Sequence, residues 1–346
     1  MRHEIALIAA VPPSGEQGGA ERFFEGLAAA LSENGLHVTT LKVVSDESTF
    51  ERIQESYLRF YDLRLDEFHG VVTTKAPSFV IRHANHLCYL VHTMRTFYDM
   101  FEREFSAPTQ VQLRQREAIL ALDTAALRRV PAPKRFAIGY EVANRLRDYN
   151  GLEANVLRPP TTLSGLRKGA FRHIFLPGRL HRWKRVDLAI DAMRYVSTDV
   201  RLLIAGTGED EAMLRDRATS NPRVWFVGRV SDIQLTQLYA DSLAVLFLPQ
   251  GEDLGLITLE AFMAQKPVIT CYDSGEPARL VKDGENGFIC APEPEAIGSA
   301  IDRLARDKRL AADMGVRGAQ SIAGITWKRG GKVLTDALMR GVNDDY

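Results

Sequence analysis

The feature that most restricts this chain is a series of six short apolar stretches in its second half, separated by segments of helical period. The stretches are His173–Leu176, Arg201–Ala205, Val224–Val227, Leu243–Leu248, Pro267–Cys271 and Gly287–Cys290. Helical patterns fall between them at Val186–Tyr195, Glu209–Arg217, Asp232–Asp241, Ile257–Gln265 and Glu276–Val281. Strands that alternate with helices predict a mostly parallel sheet covered on both faces, and six of them make a complete doubly wound domain.

The first half follows the same order less regularly. Glu4–Ala10 reads as a strand, followed by a Gly-rich turn, a helix over Ala20–Asn34 ended by Gly35, and a second strand at His37–Val44. Three more strands are expected at Gly70–Thr74, Leu87–His92 and Phe136–Tyr140, while the charged, helix-periodic residues 45–68 and 100–130 find no definite place. At 346 residues the chain exceeds the ~250–300 at which a single core stops growing. Two domains are therefore expected, joined at Arg158-Pro159-Pro160-Thr161-Thr162, where two prolines impose an extended bias. The boundaries drawn are 1–160, 161–326 and a terminal helix over 327–346 opened by Trp327. Two such Rossmann-like domains are expected to face one another, with the carboxyl ends of their strands across a cleft.

Charge excludes one class of partner. Residues 1–160 carry 19 basic and 20 acidic side chains and the remainder 25 and 24, so neither half has the excess a nucleic-acid binder uses to displace counterions. An anionic ligand must be held by a few placed cations. The three cysteines, Cys88, Cys271 and Cys290, lie far apart in apolar runs and read as buried thiols of a reducing compartment. No leader-like segment and no run of the ~18–20 apolar residues of a membrane span is found. A cytoplasmic protein is expected, with a peripheral seat at the inner face of a membrane left open.

Four constellations carry candidate chemistry. Gly15-Glu16-Gln17-Gly18-Gly19-Ala20-Glu21 joins a strand to a helix, where adjacent glycines let an anion approach the helix N-terminus; a tight turn without a ligand is the alternative. Pro177–Arg185 places Arg179 and Lys184 in one loop at a strand's carboxyl end, positioned to grip a diphosphate or simply to be solvated. In Gly251–Ala261, Glu252 and Glu260 would lie about 80° apart on a continuous helix. A helix starting near Ile257 instead hangs Glu252 from the loop, seats Glu260 in the first turn and bares the amides of Gly255 and Leu256 to an anion. A hydrolase's acid–base pair is one alternative, and acids that only complement the helix dipole are another. Finally, His92 closes the strand Leu87–His92, at the mouth of the first domain. The chain holds no Asp-x-Asp and no metal-ligand spacing, so no metal and no other cofactor is expected, and Arg179, Lys184 and a helix N-terminus would have to neutralise a leaving diphosphate.

Together these residues resemble glycosyltransferase family 4, retaining nucleotide-sugar enzymes of the GT-B fold. The resemblance runs through Gly18–Glu21, Gly178–Arg185, Ala205–Asp210 and Glu252–Phe262, the last being the family's Glu-x7-Glu signature. Lys75-Ala76-Pro77 with Tyr89–His92, Arg95 and Tyr98-Asp99 is similar to a bacterial subgroup associated with surface-polysaccharide assembly. What the resemblance implies is a UDP- or GDP-sugar donor and a glycan, lipid-linked glycan or small-molecule acceptor; it leaves oligomeric state undefined. Arg179 and Lys184 would hold the donor diphosphate, Glu260 the ribose and Glu252 the transferred sugar. Gly255 and Leu256 would offer amides, and backbone near Arg229 and Val230 would read the base. Gly18 and Gly19 would approach the donor from the other domain, His92 would line the reaction centre, and the helix from Trp327 would cross back to the first domain. Ser274-Gly275-Glu276-Pro277-Ala278-Arg279 departs from the family's usual Ser-Gly-Gly-Pro-x-Glu, and Leu254 replaces a common aromatic residue. Two other classes share the fold: a nucleotide-sugar enzyme of another reaction, such as an epimerase or phosphorylase, and a nucleotide-binding partner subunit without turnover. The intact Arg179, Lys184, Glu252 and Glu260 argue against the last, and no motif for a pyridoxal-phosphate lysine supports a phosphorylase.

Overall fold

The computed structural model describes residues 3–13 and 19–340, with Gly18 outside the described residues. The chain divides into two units: one takes the residues up to Pro159 together with those from Ile325 onward, the other Pro160–Gly324.

In the first unit the order is β1 (Glu4–Val11), α1 (Gly19–Glu33), β2 (His37–Val44), α2 (Phe50–Tyr61), β3 (Gly70–Thr73), β4 (His86–Leu90), α3 (Phe101–Glu104), α4 (Gln110–Arg128), β5 (Arg135–Ala137), α5 (Tyr140–Asn150) and β6 (Asn155–Val156). The strands pair in parallel in the order β2-β1-β3-β4-β5-β6. Residues Ile5–Ala10 of β1 are wholly buried, as expected of a parallel strand covered on both faces. The two unplaced segments resolve into α2 and the pair α3–α4. Thr49 caps α2 through the amide of Arg52, and Thr109 with Gln112 forms a capping box on α4. β6, only two residues long, has no periodicity to betray it. Further, β4 stops at Leu90, two residues short of His92. β5 ends at Ala137 because Gly139 is already the N-cap of α5.

The second unit runs β7 (His173–Pro177), α6 (Val186–Ala192), β8 (Leu202–Ala205), α7 (Glu211–Ala218), β9 (Val224–Gly228), α8 (Asp232–Asp241), β10 (Ser242–Leu246), α9 (Leu256–Met263), β11 (Val268–Cys271), α10 (Glu276–Leu280), β12 (Gly287–Cys290), α11 (Pro294–Arg306) and α12 (Lys308–Ile322). Its parallel sheet is ordered β12-β11-β10-β7-β8-β9. The chain therefore builds outward from β7 in one direction, returns, and builds outward from β10 in the other. Ligands of such sheets bind at this reversal, outside the carboxyl ends of the two central strands. Ile174, Leu176, Leu202, Ile204, Leu246 and Ile269 anchor the core beneath that edge.

The last helix, α13 (Trp327–Met339), belongs to the first unit. Thr326 caps it, the Trp327 ring packs 5.9 Å from that of Phe23 on α1, and Leu334 and Leu338 are buried. Among the described residues no helix is long and apolar enough to cross a membrane.

Candidate active site

Three loops meet at the reversal of the second sheet: those after β7, β10 and β11. Backbone hydrogen bonds stitch them together. The amide of Gln250 donates to Trp183 O (2.8 Å), that of Gly251 to Asp273 O (3.0 Å), that of Glu252 to Ser274 O (2.9 Å), and that of Glu276 to Glu252 O (2.9 Å). Glu252 is thus held through both of its peptide groups. The contact needs Gly275, whose φ is 78° and where a Cβ would stand 2.6 Å from Glu252 N and O. Glu276, which departs from the family pattern, is fully buried beneath this seam.

A side chain from the first loop ties the three together. Arg185 adopts the left-handed conformation (φ 50°) and sends its guanidinium to the carbonyls of Leu248 (2.6 Å) and Pro249 (2.8 Å) and to both oxygens of Asp273 (2.8 and 2.7 Å). Such a two-pronged charge-assisted contact is among the strongest polar links available. Next to it, Lys184 Nζ donates to Glu252 Oε2 at 2.5 Å and lies 5.6 Å from the centre of the Phe247 ring. Lys184 follows β7 and Glu252 follows β10, so their ion pair bridges the reversal itself.

Arg179 is exposed and pairs with Glu209 (2.9 Å) rather than with any residue named in advance. The helix α9 starts at Leu256, one residue earlier than expected, because Gly255 is its N-cap in the left-handed conformation (φ 72°). Glu260 consequently falls in the second turn, not the first. Gly255 offers no side chain to cap α9, so the amides at its start receive no hydrogen bond from the N-cap side chain. Glu260 accepts from Tyr239 OH (2.6 Å) at one oxygen and Thr161 Oγ1 (3.1 Å) at the other. Tyr239 is fully buried, and burial with the Glu260 charge raises its phenol well above the ordinary range, so it stays a donor. The carboxylate of Glu260 is thereby fixed in orientation.

Arg229 and Val230 follow the end of β9 and precede the Ser231 cap of α8, with Arg229 exposed. In the first unit Gly19 opens α1. His92 does not close β4, as the sequence suggested; the strand ends at Leu90, and His92 Nδ1 donates to Thr93 O at 3.0 Å in the segment that follows. Among the described residues no three His, Cys, Asp or Glu side chains are grouped to hold a metal ion. Sequence reasoning missed Tyr239, Thr161, Arg185, Asp273 and Glu209. Arg185 and Glu209 lie inside motifs already singled out; Tyr239 and Thr161 are 21 and 99 residues from their partner Glu260 and carry no local signal.

Residues 166–321 match the family described as glycosyl transferases group 1. The human alpha-1,3/1,6-mannosyltransferase ALG2 is 31% identical over 184 residues, which cover 47% of this chain and 43% of that protein. The chain therefore spans less than half the length of this relative. Sucrose-phosphate synthase from Thermosynechococcus elongatus has the same fold, with a TM-score of 0.75 at 18% identity over 97% of this chain and 98% of its own. HepE from Anabaena, solved in complex with UDP and glucose, gives 0.72 at 17% identity over 97% and 99%. Within the second unit the sequence is thus similar to the group 1 glycosyl transferases, and the chain has the two-sheet α/β fold of GT-B structures.

Proposed function

We propose that the chain is a retaining glycosyltransferase that moves a sugar from a nucleoside-diphosphate donor to a glycan, lipid-linked glycan or small-molecule acceptor. The observation that carries this reading is the Lys184–Glu252 pair at the reversal of the second sheet, beside the uncapped start of α9 and the oriented Glu260. The printed names of its relatives support it: ALG2 is a mannosyltransferase, and HepE was solved with UDP and glucose.

The residues divide the work. Lys184, Arg179 and the α9 amides of Gly255 and Leu256 neutralise the diphosphate as it leaves, which stabilises charge that grows in the transition state. As the phosphate takes Lys184, Glu252 is released to accept hydroxyls of the transferred sugar. Glu260 accepts the ribose hydroxyls, and backbone near Arg229 and Val230 receives the base. Two cations and a helix start supply the positive charge, so the reaction proceeds without a metal. The setting is bacterial surface-polysaccharide or glycoconjugate assembly in the cytoplasm, with lipid-linked acceptors met at the inner face of the membrane.

Calorimetric titration with UDP and GDP, followed by a transfer assay with the matching sugar nucleotides, tests the reading. Saturable binding of one nucleoside diphosphate and transfer from its sugar are expected. Absence of binding by either overturns it.

A further inference from the structure

The Ala205–Asp210 segment, singled out in the sequence, enters the site so far only through the pair of Glu209 with Arg179. It lies directly against the loop that bears Arg179. The amide of Gly178 donates to Ala205 O (2.9 Å), that of Leu180 to Thr207 O (3.0 Å), and that of Asp210 to Leu180 O (3.2 Å). Approach this close requires glycine: a Cβ at Gly206 would stand 1.9 Å from Gly178 O, and one at Gly208 2.1 Å from Leu180 O. What the close approach delivers is Glu209. One of its oxygens takes Arg179 Nη2 at 2.9 Å, and the other stands 3.0 Å from His181 Nε2.

The protonation of His181 follows from its other nitrogen. Nδ1 accepts from the amide of Trp183 (3.1 Å), so the ring proton is on Nε2 and points to Glu209. Burial holds the imidazole below its usual pKa, which keeps it neutral near pH 7. A neutral donor thus aims the carboxylate without cancelling its charge, and the full negative charge faces Arg179. A nucleoside diphosphate that approaches Arg179 meets a cation already paired.

We propose that Glu209 is an internal counter-ion that occupies the diphosphate grip of Arg179 in the empty protein and sets how tightly the donor is held. This rests on the donor reading above. The pair is weak enough to be exchanged, since Arg179 is 69% and Glu209 52% exposed and ion pairs in such surroundings contribute little. A phosphate displaces the carboxylate from Arg179, and the carboxylate recaptures the guanidinium as the nucleoside diphosphate departs. Glu209 therefore weakens both donor and product binding, which favours release.

The test is calorimetry on the full chain with UDP, GDP and the corresponding nucleosides, for the parent, Glu209→Gln, Arg179→Ala and the double variant. Glu209→Gln keeps the shape and the contact with His181 while it removes the charge. It is expected to bind the nucleoside diphosphate about three- to ten-fold more tightly at low salt, with the gain shrinking as salt rises. Nucleoside binding should not change, and the gain should be smaller in the Arg179→Ala background. A Glu209→Gln protein that binds the diphosphate with unchanged or weaker affinity, while the parent binds it well, overturns this inference and leaves the donor reading standing. A parent that binds no nucleoside diphosphate overturns both.

Discussion

The two units share a plan and use their polar groups in opposite ways. In the second, charged side chains gather at the carboxyl edge of the sheet, where Lys184 meets Glu252 and Arg185 meets Asp273 in partly open surroundings. In the first, one polar cluster is buried. Asp123 of α4 accepts from Tyr57 OH (2.5 Å) and Tyr98 OH (2.7 Å), and Asn150 Nδ2 reaches Tyr98 OH at 3.3 Å. Tyr57, Asp123 and Asn150 come from α2, α4 and α5 and Tyr98 from the segment between β4 and α3, so these hydrogen bonds tie separate parts of the unit together. One arrangement leaves charge pairs partly open to solvent; the other holds polar groups inside a core. The reversal of strand order also differs, between β7 and β10 in one sheet and between β1 and β3 in the other.

The largest effect expected from this contrast is a pH dependence of stability that arises from Asp123 in the first unit. Burial raises the Asp123 carboxyl from 3.8 to about 7. Between those values the folded protein keeps a proton that the unfolded chain has lost, so this contribution is complete below about pH 4 and disappears as pH rises through 7. Its size is roughly 4 kcal/mol at most. His86 works in the opposite direction: burial lowers it from 6.5 to about 3, and its contribution is lost as pH falls. Urea denaturation of the parent and of Asp123→Asn from pH 4 to 8 separates the two. The advantage of the parent over the variant should shrink as pH rises. A constant difference breaks the picture of a locked, proton-holding core.

In the second unit the largest effect should be on binding rather than folding. Lys184→Ala is expected to lose about 1.5–3 kcal/mol of nucleoside-diphosphate affinity, the worth of a charge-assisted contact. Its melting temperature should stay near that of the parent, because the lysine is partly exposed and covers no core. Loss of folding without loss of affinity would show that the edge is structural, like the buried cluster.

A finer comparison lies within the edge itself. Glu260, oriented by Tyr239 and Thr161, should provide binding common to ground and transition states, so Glu260→Gln should raise the donor KM more than it lowers kcat. Tyr239→Phe, which removes one orienting donor, should shift KM in the same sense by about 1 kcal/mol. Glu252, proposed to accept hydroxyls of the transferred sugar, should show the opposite pattern, with kcat lowered in Glu252→Gln. Steady-state kinetics over a range of donor concentrations distinguishes the two. Equal effects of both variants on both constants would merge the roles kept apart here.

The smallest expected effect is none: transfer should continue in EDTA. Activity that is lost on chelation and restored by magnesium or manganese would show that the cations of the second unit do not suffice for the leaving charge.

Legibility followed the same contrast. The strands of the second unit, the loop cations Arg179 and Lys184, and the Glu-x7-Glu spacing could be read because each is a local pattern of a few residues. In the first unit β6 was missed and α2 and α4 were not placed, since two residues show no period and charged helices disclose their buried face only once it is packed. The end of β4 was set two residues late because Val91 continues its apolar run up to His92, whereas the ladder stops at Leu90.

By itself the sequence determined the alternation of strands and helices, because the period of apolar residues is a property of neighbours in the chain. It also determined which loops carry the cations and carboxylates. Tertiary structure alone decided how those groups pair: Lys184 with Glu252, Arg185 with Asp273, Arg179 with Glu209, and Glu260 with Tyr239 and Thr161. Each of these contacts joins residues between 21 and 99 positions apart. A hydrogen bond acts over about 3 Å, so only the strand order, which sets β7 beside β10 and their loops on one edge, determines which charges meet.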